Sequence, residues 1–365
     1  MIILIPLGGL GKRFRDNGYK SPKALINIFG VPIINHLITN LNTKNIDMLY
    51  ISHSKEYSNF RLSDRLTKQY KNINFKFLEL ETQTEGAAET INIALKNLNK
   101  KQLQMPILCL DCDNFYTTDI VSLWNKGNTV FTFEDLSNSN IYSYVKYEND
   151  NIIDIKEKTK ISNYACTGAY GFESANSLLK YTQIILDKNI KQKNEFYTSS
   201  VIEQMIKDNI NFTMTQISQN DWHCLGTPMQ LKQFYNNIPR ISCLDNNNKI
   251  DNIRVCFDLD NTLVTYPKKN NDYTTVEPIQ KNIDLLNYLK KLGCIIIIYT
   301  ARRMKTHSGN CGKLLADIGK ITFNTLEKFN IKYDEIYFGK PYANFYIDDL
   351  AINCYDNIEK ELGYY

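Results

Sequence analysis

"MIILIPLGGLGKRF" (residues 1–14) opens the chain, and "VCFDLDNTLV" (residues 255–264) makes a second opening of the same kind. In each, an apolar run of strand length leads directly into a turn that carries chemistry. The first turn holds glycines and basic residues; the second holds two aspartates and a threonine. Sites of open α/β sheets lie beyond the carboxyl ends of their strands, so two such beginnings predict two α/β domains, each with its own site.

Working outward from the first opening, strand-like runs ("MIILIPL", "DMLYISH", "FKFLEL", "MPILCLDCD", "TVFTFED") alternate with helix-like stretches such as "VPIINHLITNL" and "ETINIALKNL". From Ser139 to Phe172 the pattern turns β-rich, and helical segments follow to about residue 238. The polar stretch "IPRISCLDNNNKIDN" has no periodicity and reads as a linker, after which "IRVCFDLD" restarts a strand–helix alternation. The expected organisation is a mixed-sheet α/β domain over 1–240, a linker over 241–252, and a parallel α/β domain over 253–365. Both are Rossmann-like.

Composition narrows the function. A hydrophobic share of 43% and a charged share of 22% are those of a globular protein. A net charge of +4 gives no electrostatic case for nucleic acid, and no apolar run approaches the roughly 20 residues of a membrane span. "MIILIPL" is too short for the apolar core of a signal peptide, and nine cysteines, an odd number, suggest reduced thiols and a cytoplasmic home. "CLDC" (109–112) lacks a second ligand pair at zinc spacing and reads as strand thiols. His36 and His53 receive no role.

The first turn is not a familiar phosphate loop. A dinucleotide fingerprint needs a glycine where Phe14 stands, and a Walker loop needs Ser or Thr where Arg13 follows Lys12. What remains is Gly8, Gly9 and Gly11 with Arg13 beside them and Lys23 in "SPKALI". Glycines let backbone N–H groups approach a triphosphate, and fixed cations stabilise charge on a departing pyrophosphate.

This combination resembles the sugar-nucleotide nucleotidyltransferase family, whose members carry GGxGxR followed by a PK dipeptide. Further matches follow in order: "TEGAAET" (84–90), "LDCDN", "IKEKT", "NYACTGAYGF" and "LGTPMQL" (225–231). The form nearest to "PLGGLGKRF…GYKSPKALI" occurs in bacterial capsule gene clusters. The resemblance implies that Leu7, Gly8, Gly9, Gly11, Arg13, Lys23, Gly86 and Ala87 bind the nucleotide. Asp113 would hold magnesium, and Glu157, Lys158 and Gly168 would face a sugar phosphate. One departure stands out, because Cys224 occupies the position where relatives often carry a second magnesium aspartate. A thiol suits this hard cation poorly, leaving Asp221 or Asp111 to substitute.

"FDLDNTL" resembles the haloacid dehalogenase signature DxDxT, and "IIIIYTAR", "YFGKP" and "NFYIDDLA" match its later motifs in order. The resemblance implies an aspartyl-phosphate mechanism. Asp258 would be the nucleophile and Asp260 the acid and base, with Thr300 and Lys340 stabilising the phosphoryl group. A magnesium ion would sit on Asp258, Asp260, Asp348 and Asp349, the last two ending a further strand. The spacings leave no room for a large cap. Arg302, beside Arg303, Lys305 and His307, is a candidate reader of a second charged group on the substrate.

The expectation is therefore a bifunctional enzyme of capsule or surface-sugar biosynthesis with one magnesium per domain. Its partners would be a nucleoside triphosphate (CTP, GTP, UTP or dTTP) and a phosphorylated sugar or small polyol, with a homo-oligomer left open. The phosphatase would prepare the transferase substrate. Two alternatives stay open: CTP-dependent activation of a choline- or glycerol-like phosphate, and a phosphatase regulated by a nucleotide-sugar-binding domain without turnover.

Overall fold

Ile2–Leu7 are apolar without alternation, the signature of a parallel strand covered on both faces, and Ile2, Ile3, Leu4 and Ile5 have no exposed surface. This strand is the centre of a nine-stranded mixed sheet. The computed structural model describes residues 1–137, 140–237, 253–348 and 350–364, so the expected linker 241–252 and Asp349 lie outside the described residues. The chain divides into two compact units, Met1–Phe234 and Tyr235–Tyr365.

In the first unit the strands are β1 (Ile2–Leu7), β2 (Asn27–Ile28), β3 (Val31–Pro32), β4 (Met48–Ser54), β5 (Phe75–Leu80), β6 (Ile107–Leu110) and β7 (Asn114–Tyr116). They continue as β8 (Thr129–Glu134), β9 (Ser143–Glu148), β10 (Asn151–Glu157), β11 (Tyr164–Phe172), β12 (Thr213–Gln216) and β13 (Trp222–Cys224). The main sheet runs β10-β9-β11-β6-β1-β4-β5, with β8 branching from β11 and β12 pairing with β8. β6, β1, β4 and β5 are mutually parallel, whereas β11 runs antiparallel to β6.

Alternate residues Ile2 and Leu4 share one core cluster with Ile91 and Leu95 of helix Ala87–Lys96, Leu178 and Ile185 of helix Ala175–Asp187, and Val201 and Met205 of helix Thr198–Lys207. Fully burying side chains of this size contributes roughly 1.5–3 kcal/mol each.

One irregularity creates the working end of the sheet. β11 pairs with β6 from Ala169 onward but meets β9 at Ala165, and its register with β8 shifts between Cys166 and Tyr170. Gly168 sits in this split at φ +86°. A Cβ there would lie 2.5 Å from Asn114 Nδ2 and 2.8 Å from Asp111 Oδ2. The residues after β6 therefore pack against backbone that only glycine leaves open.

The second unit holds three parallel strands in the order β14 (Arg254–Asp258), β15 (Ile295–Thr300) and β16 (Glu335–Phe338). Helices Gln280–Lys291 and Cys311–Lys328 form the two crossovers. The strand expected to end at Asp348 is corrected by the structure, in which residues 341–348 form no strand. Phe345 is 86% and Ile347 99% exposed. An apolar run becomes a strand only when an edge pairs with it, and β14 and β16 keep their outer edges unpaired among the described residues.

Candidate active site

In the first unit the loops after β1 and β6 meet. Lys23, in the short helical turn Lys23–Leu25, places Nζ 2.5 Å from Asp113 Oδ2. Both side chains are about four-fifths buried, at 23% and 18% exposure. Burial works to lower the Lys23 pKa, but the Asp113 charge and the hydrogen bond outweigh it and hold the ammonium above the ordinary lysine range. Asp111 lies alongside. Burial, then the nearby Asp113 charge, pushes its carboxyl well above the usual range, against the pull of Lys23.

Cys224 also reaches this point, because β13 pairs with β7 (Cys224 opposite Asn114) and Leu225 N donates to Asp113 O at 2.7 Å. Burial and the Asp113 charge push its thiol up to about 12, so it stays protonated and is no magnesium ligand. Of the two expected substitutes, Asp221 is drawn elsewhere: its carboxylate accepts from Thr117 Oγ1 at 2.8 Å at the far end of the ladder. Asp111 is the one at hand. Among the described residues no three His, Cys, Asp or Glu side chains form a metal cage. Magnesium, however, needs only one or two carboxylates when substrate phosphates and water complete its shell. Asp113, Asp111 and the buried, unpartnered Asn114 Oδ1 are all oxygen donors and fit it.

The expected sugar-phosphate residues stand across the split in β11. Glu157 ends β10 with Oε2 accepting from Ser199 Oγ at 2.8 Å and from Ser143 Oγ. Lys158 follows at φ +50°, its Nζ 3.6 Å from Glu157 Oε1 and donating to Tyr197 OH at 2.5 Å. The expected nucleotide segment is tied to the glycine loop, since Gln83 Nε2 donates to Gly8 O at 2.5 Å, and within it the Thr84 and Thr90 hydroxyls meet at 2.7 Å. Gly86 precedes helix Ala87–Lys96 at φ +146°, where a Cβ would lie 2.4 Å from Phe196 O. Leu7 is buried at the end of β1, Gly9 is exposed in the loop, and Gly11 precedes the helical turn Lys12–Arg15, which carries the exposed Arg13. The structure thus brings Lys23, Asp113, Glu157, Lys158 and Gly168 to one end of the sheet. Gln83, Ser143, Tyr197 and Ser199 join them without having been singled out from the sequence.

The Nucleotidyl transferase family model matches residues 2–240. The chain belongs to the nucleotidyl transferase family. Two curated relatives illustrate the breadth of the likeness. Bifunctional protein GlmU of Methanocaldococcus jannaschii is 24% identical over 237 residues, 63% of this chain and 52% of that protein, so the chain spans about half of that relative. The D-glycero-alpha-D-manno-heptose 1-phosphate guanylyltransferase of Aneurinibacillus thermoaerophilus is 22% identical over 211 residues, 54% of this chain and 88% of that one.

Among solved structures, the nucleoside-diphosphate-sugar pyrophosphorylase from Vibrio cholerae RC9 has a TM-score of 0.56 at 21% identity, covering 64% of this chain and 99% of that one. The inositol-1-phosphate CTP transferase from T. maritima has a TM-score of 0.52 at 13% identity, covering 63% and 90%. At these identities the likeness to solved structures establishes the nucleotidyl transferase fold. No helix among the described residues is long and apolar enough to cross a membrane.

In the second unit the carboxyl ends of the three strands converge. Lys340 N donates to Thr300 O at 3.1 Å, and Lys340 Nζ lies 3.2 Å from Asp258 Oδ2. Two expected roles are corrected. Arg302, expected to read substrate charge, is fully buried and forks onto Asp260 with contacts of 2.7–3.0 Å. It also donates to Thr322 Oγ1 at 3.2 Å and packs 4.8 Å from the centre of the Tyr273 ring. A buried guanidinium needs a carboxylate partner, and Asp260 is that partner. Burial raises the Asp260 pKa, with Arg302 opposing and Asp258 adding to the rise. Asp348 is exposed, accepts from Leu350 N at 2.7 Å, and has no hydrogen bond or ion pair with Asp258, Asp260 or Lys340 among the described residues. The magnesium set expected here is not assembled among them, because the strand that would carry Asp348 inward is not formed.

Proposed function

We propose that the first unit transfers a nucleotidyl group from a nucleoside triphosphate to a phosphorylated sugar or small polyol. The observation that carries this reading is the juxtaposition of Lys23 and Asp113 with Glu157 and Lys158 at the split in β11. A phosphate oxygen of the acceptor attacks the α-phosphorus. The bond to the bridging oxygen breaks, and pyrophosphate leaves with the electron pair. Two polyanions must approach, so Lys158 draws in the attacking phosphate while Arg13 and Lys23 offset charge on the triphosphate. Magnesium bound by Asp113 and Asp111 would supply further charge neutralisation at the phosphates. Glu157, fixed by two hydroxyls, accepts hydrogen bonds from the acceptor's own hydroxyls. The heptose 1-phosphate guanylyltransferase supports a sugar phosphate as acceptor, and the inositol-1-phosphate CTP transferase supports the second reading, CTP with a polyol phosphate.

The second unit, in this reading, is a haloacid-dehalogenase-like phosphatase. Asp258 attacks phosphorus, Lys340 stabilises the transferring group, and the largely buried Asp260 supplies the proton to the departing alkoxide. Water then cleaves the aspartyl-phosphate to release phosphate. Its support is the convergence of Asp258, Thr300 and Lys340 at one sheet edge and the raised pKa of Asp260. Acting first on a bisphosphate, it would leave the monoester that the transferase uses, and surface-polysaccharide synthesis in the cytoplasm is the proposed setting. The test crosses sugar mono- and bisphosphates with CTP, GTP, UTP and dTTP, following pyrophosphate release by the wild type and Asp258→Asn. Release from a bisphosphate by the wild type alone supports the sequence of steps; no release from any pair refutes the transferase reading.

A further inference from the structure

Lys158 carries a flexible four-carbon stem and a mobile charge, yet both ends of it are fixed. Its backbone N donates to Tyr142 O at 2.9 Å, in the left-handed conformation at φ +50°. Its ammonium donates to the Tyr197 hydroxyl at 2.5 Å and lies 4.4 Å from the centre of that ring. Glu157 flanks it on another side at 3.6 Å.

Tyr197 is itself held. It immediately precedes helix Thr198–Lys207, and burial, then the nearby Glu195 carboxylate, hold its phenol above the ordinary tyrosine range. Phe196 N donates to Glu85 O at 2.8 Å, and Ala88 N donates to Phe196 O at 3.0 Å, so this segment is stitched to the nucleotide-facing loop 85–88. The charge of Arg13, on the glycine loop, also reaches the phenol. Tyr197 thus touches the cation assigned to the attacking phosphate, while its segment is bonded to the loop that faces the nucleotide.

We propose that Tyr197 is a positioning residue for nucleotidyl transfer, its hydroxyl aiming the Lys158 ammonium at the acceptor phosphate while its segment keeps that aim in register with the nucleotide loop. The inference rests on the transferase reading of the first unit. Two partly aligned reactants lose rate steeply when one is displaced by an ångström, so the value of the contact lies in direction. Tyr197→Phe keeps the ring and its stacking on the ammonium but removes the hydroxyl.

The experiment measures pyrophosphate release by wild type, Tyr197→Phe, Lys158→Met and the double variant. CTP, GTP, UTP and dTTP are crossed with glucose 1-phosphate, mannose 1-phosphate and inositol 1-phosphate, with thermal unfolding as the control for folding. Tyr197→Phe is expected to lower kcat/KM for the acceptor about tenfold, the value of one charge-assisted hydrogen bond, with the KM for nucleotide and the melting temperature unchanged. In the Lys158→Met background the same change costs nothing further, because the partner is gone. Equal losses in both backgrounds, or wild-type kcat/KM in Tyr197→Phe while Lys158→Met is impaired, overturn the proposal and leave the transferase reading standing. No release by the wild type with any pair overturns both.

Discussion

Lys23→Met removes the only cation bonded to Asp113 among the described residues and leaves that carboxylate beside Asp111. Breaking a fully buried ion pair costs about 3–5 kcal/mol, because the surviving charge is stranded. Here the side chains retain 23% and 18% exposure, and one carboxylate can take up a proton, so about 2–3 kcal/mol is expected. For a domain of this size that corresponds to a fall of roughly 4–12 °C in the melting temperature of the first unit at pH 7.5. The pH dependence gives the sharper check. In the wild type the raised Asp111 carboxyl already binds a proton that the unfolded chain releases; without Lys23 the pair binds protons more strongly still, so the variant's stability rises more steeply than the wild type's as the pH falls. The deficit relative to wild type should therefore shrink between pH 7.5 and pH 5, measured by thermal unfolding with magnesium removed. A shift below about 1 °C, or a deficit that widens toward pH 5, would refute the claim that Lys23 is the counter-charge of a crowded carboxylate pair.

Three further outcomes follow from the geometry. Gly168→Ala must place a Cβ 2.5 Å from Asn114 Nδ2 at φ +86°; strain and overpacking together should cost about 2–4 kcal/mol by chemical denaturation and at least tenfold in pyrophosphate release. Arg302→Met strands the largely buried Asp260, so the second unit should lose about 2–3 kcal/mol, and Arg302→Lys, unable to fork, should still lower phosphate release from p-nitrophenyl phosphate at least tenfold. Burial holds the pKa values of His36 and His223 below the ordinary histidine value. The unfolded chain takes up those protons first, so the first unit should lose stability as pH falls below about 6.5, and His36→Asn should flatten thermal unfolding between pH 5 and 7.

Much of the first unit was legible because its signals are local. The run Ile2–Leu7 and the glycines after it, the apolar stretch before Asp113, and the run that ends β10 at Glu157 each declare their element within a few residues. What was not legible depends on partners distant in the chain. Nothing around Gln83 announces that its amide reaches Gly8 O, and nothing in "EFYTSS" announces that Tyr197 meets Lys158. Arg302 sits in a basic stretch that reads as a solvated helix start, yet Asp260 draws it inside. "NFYIDD" has strand chemistry, but pairing is decided by an edge elsewhere, and Phe345 and Ile347 remain exposed.

The most direct measurement follows pyrophosphate release from a nucleotide and a monophosphate acceptor, and phosphate release from p-nitrophenyl phosphate, in wild type, Asp113→Asn and Asp258→Asn. Two separate sites on one chain require a crossed result. Asp113→Asn should lose pyrophosphate release by at least about a hundredfold and keep phosphate release, and Asp258→Asn should do the reverse. Pyrophosphate release by Asp113→Asn at the wild-type rate would contradict the assignment of the Lys23–Asp113 end of the sheet as the transferase site.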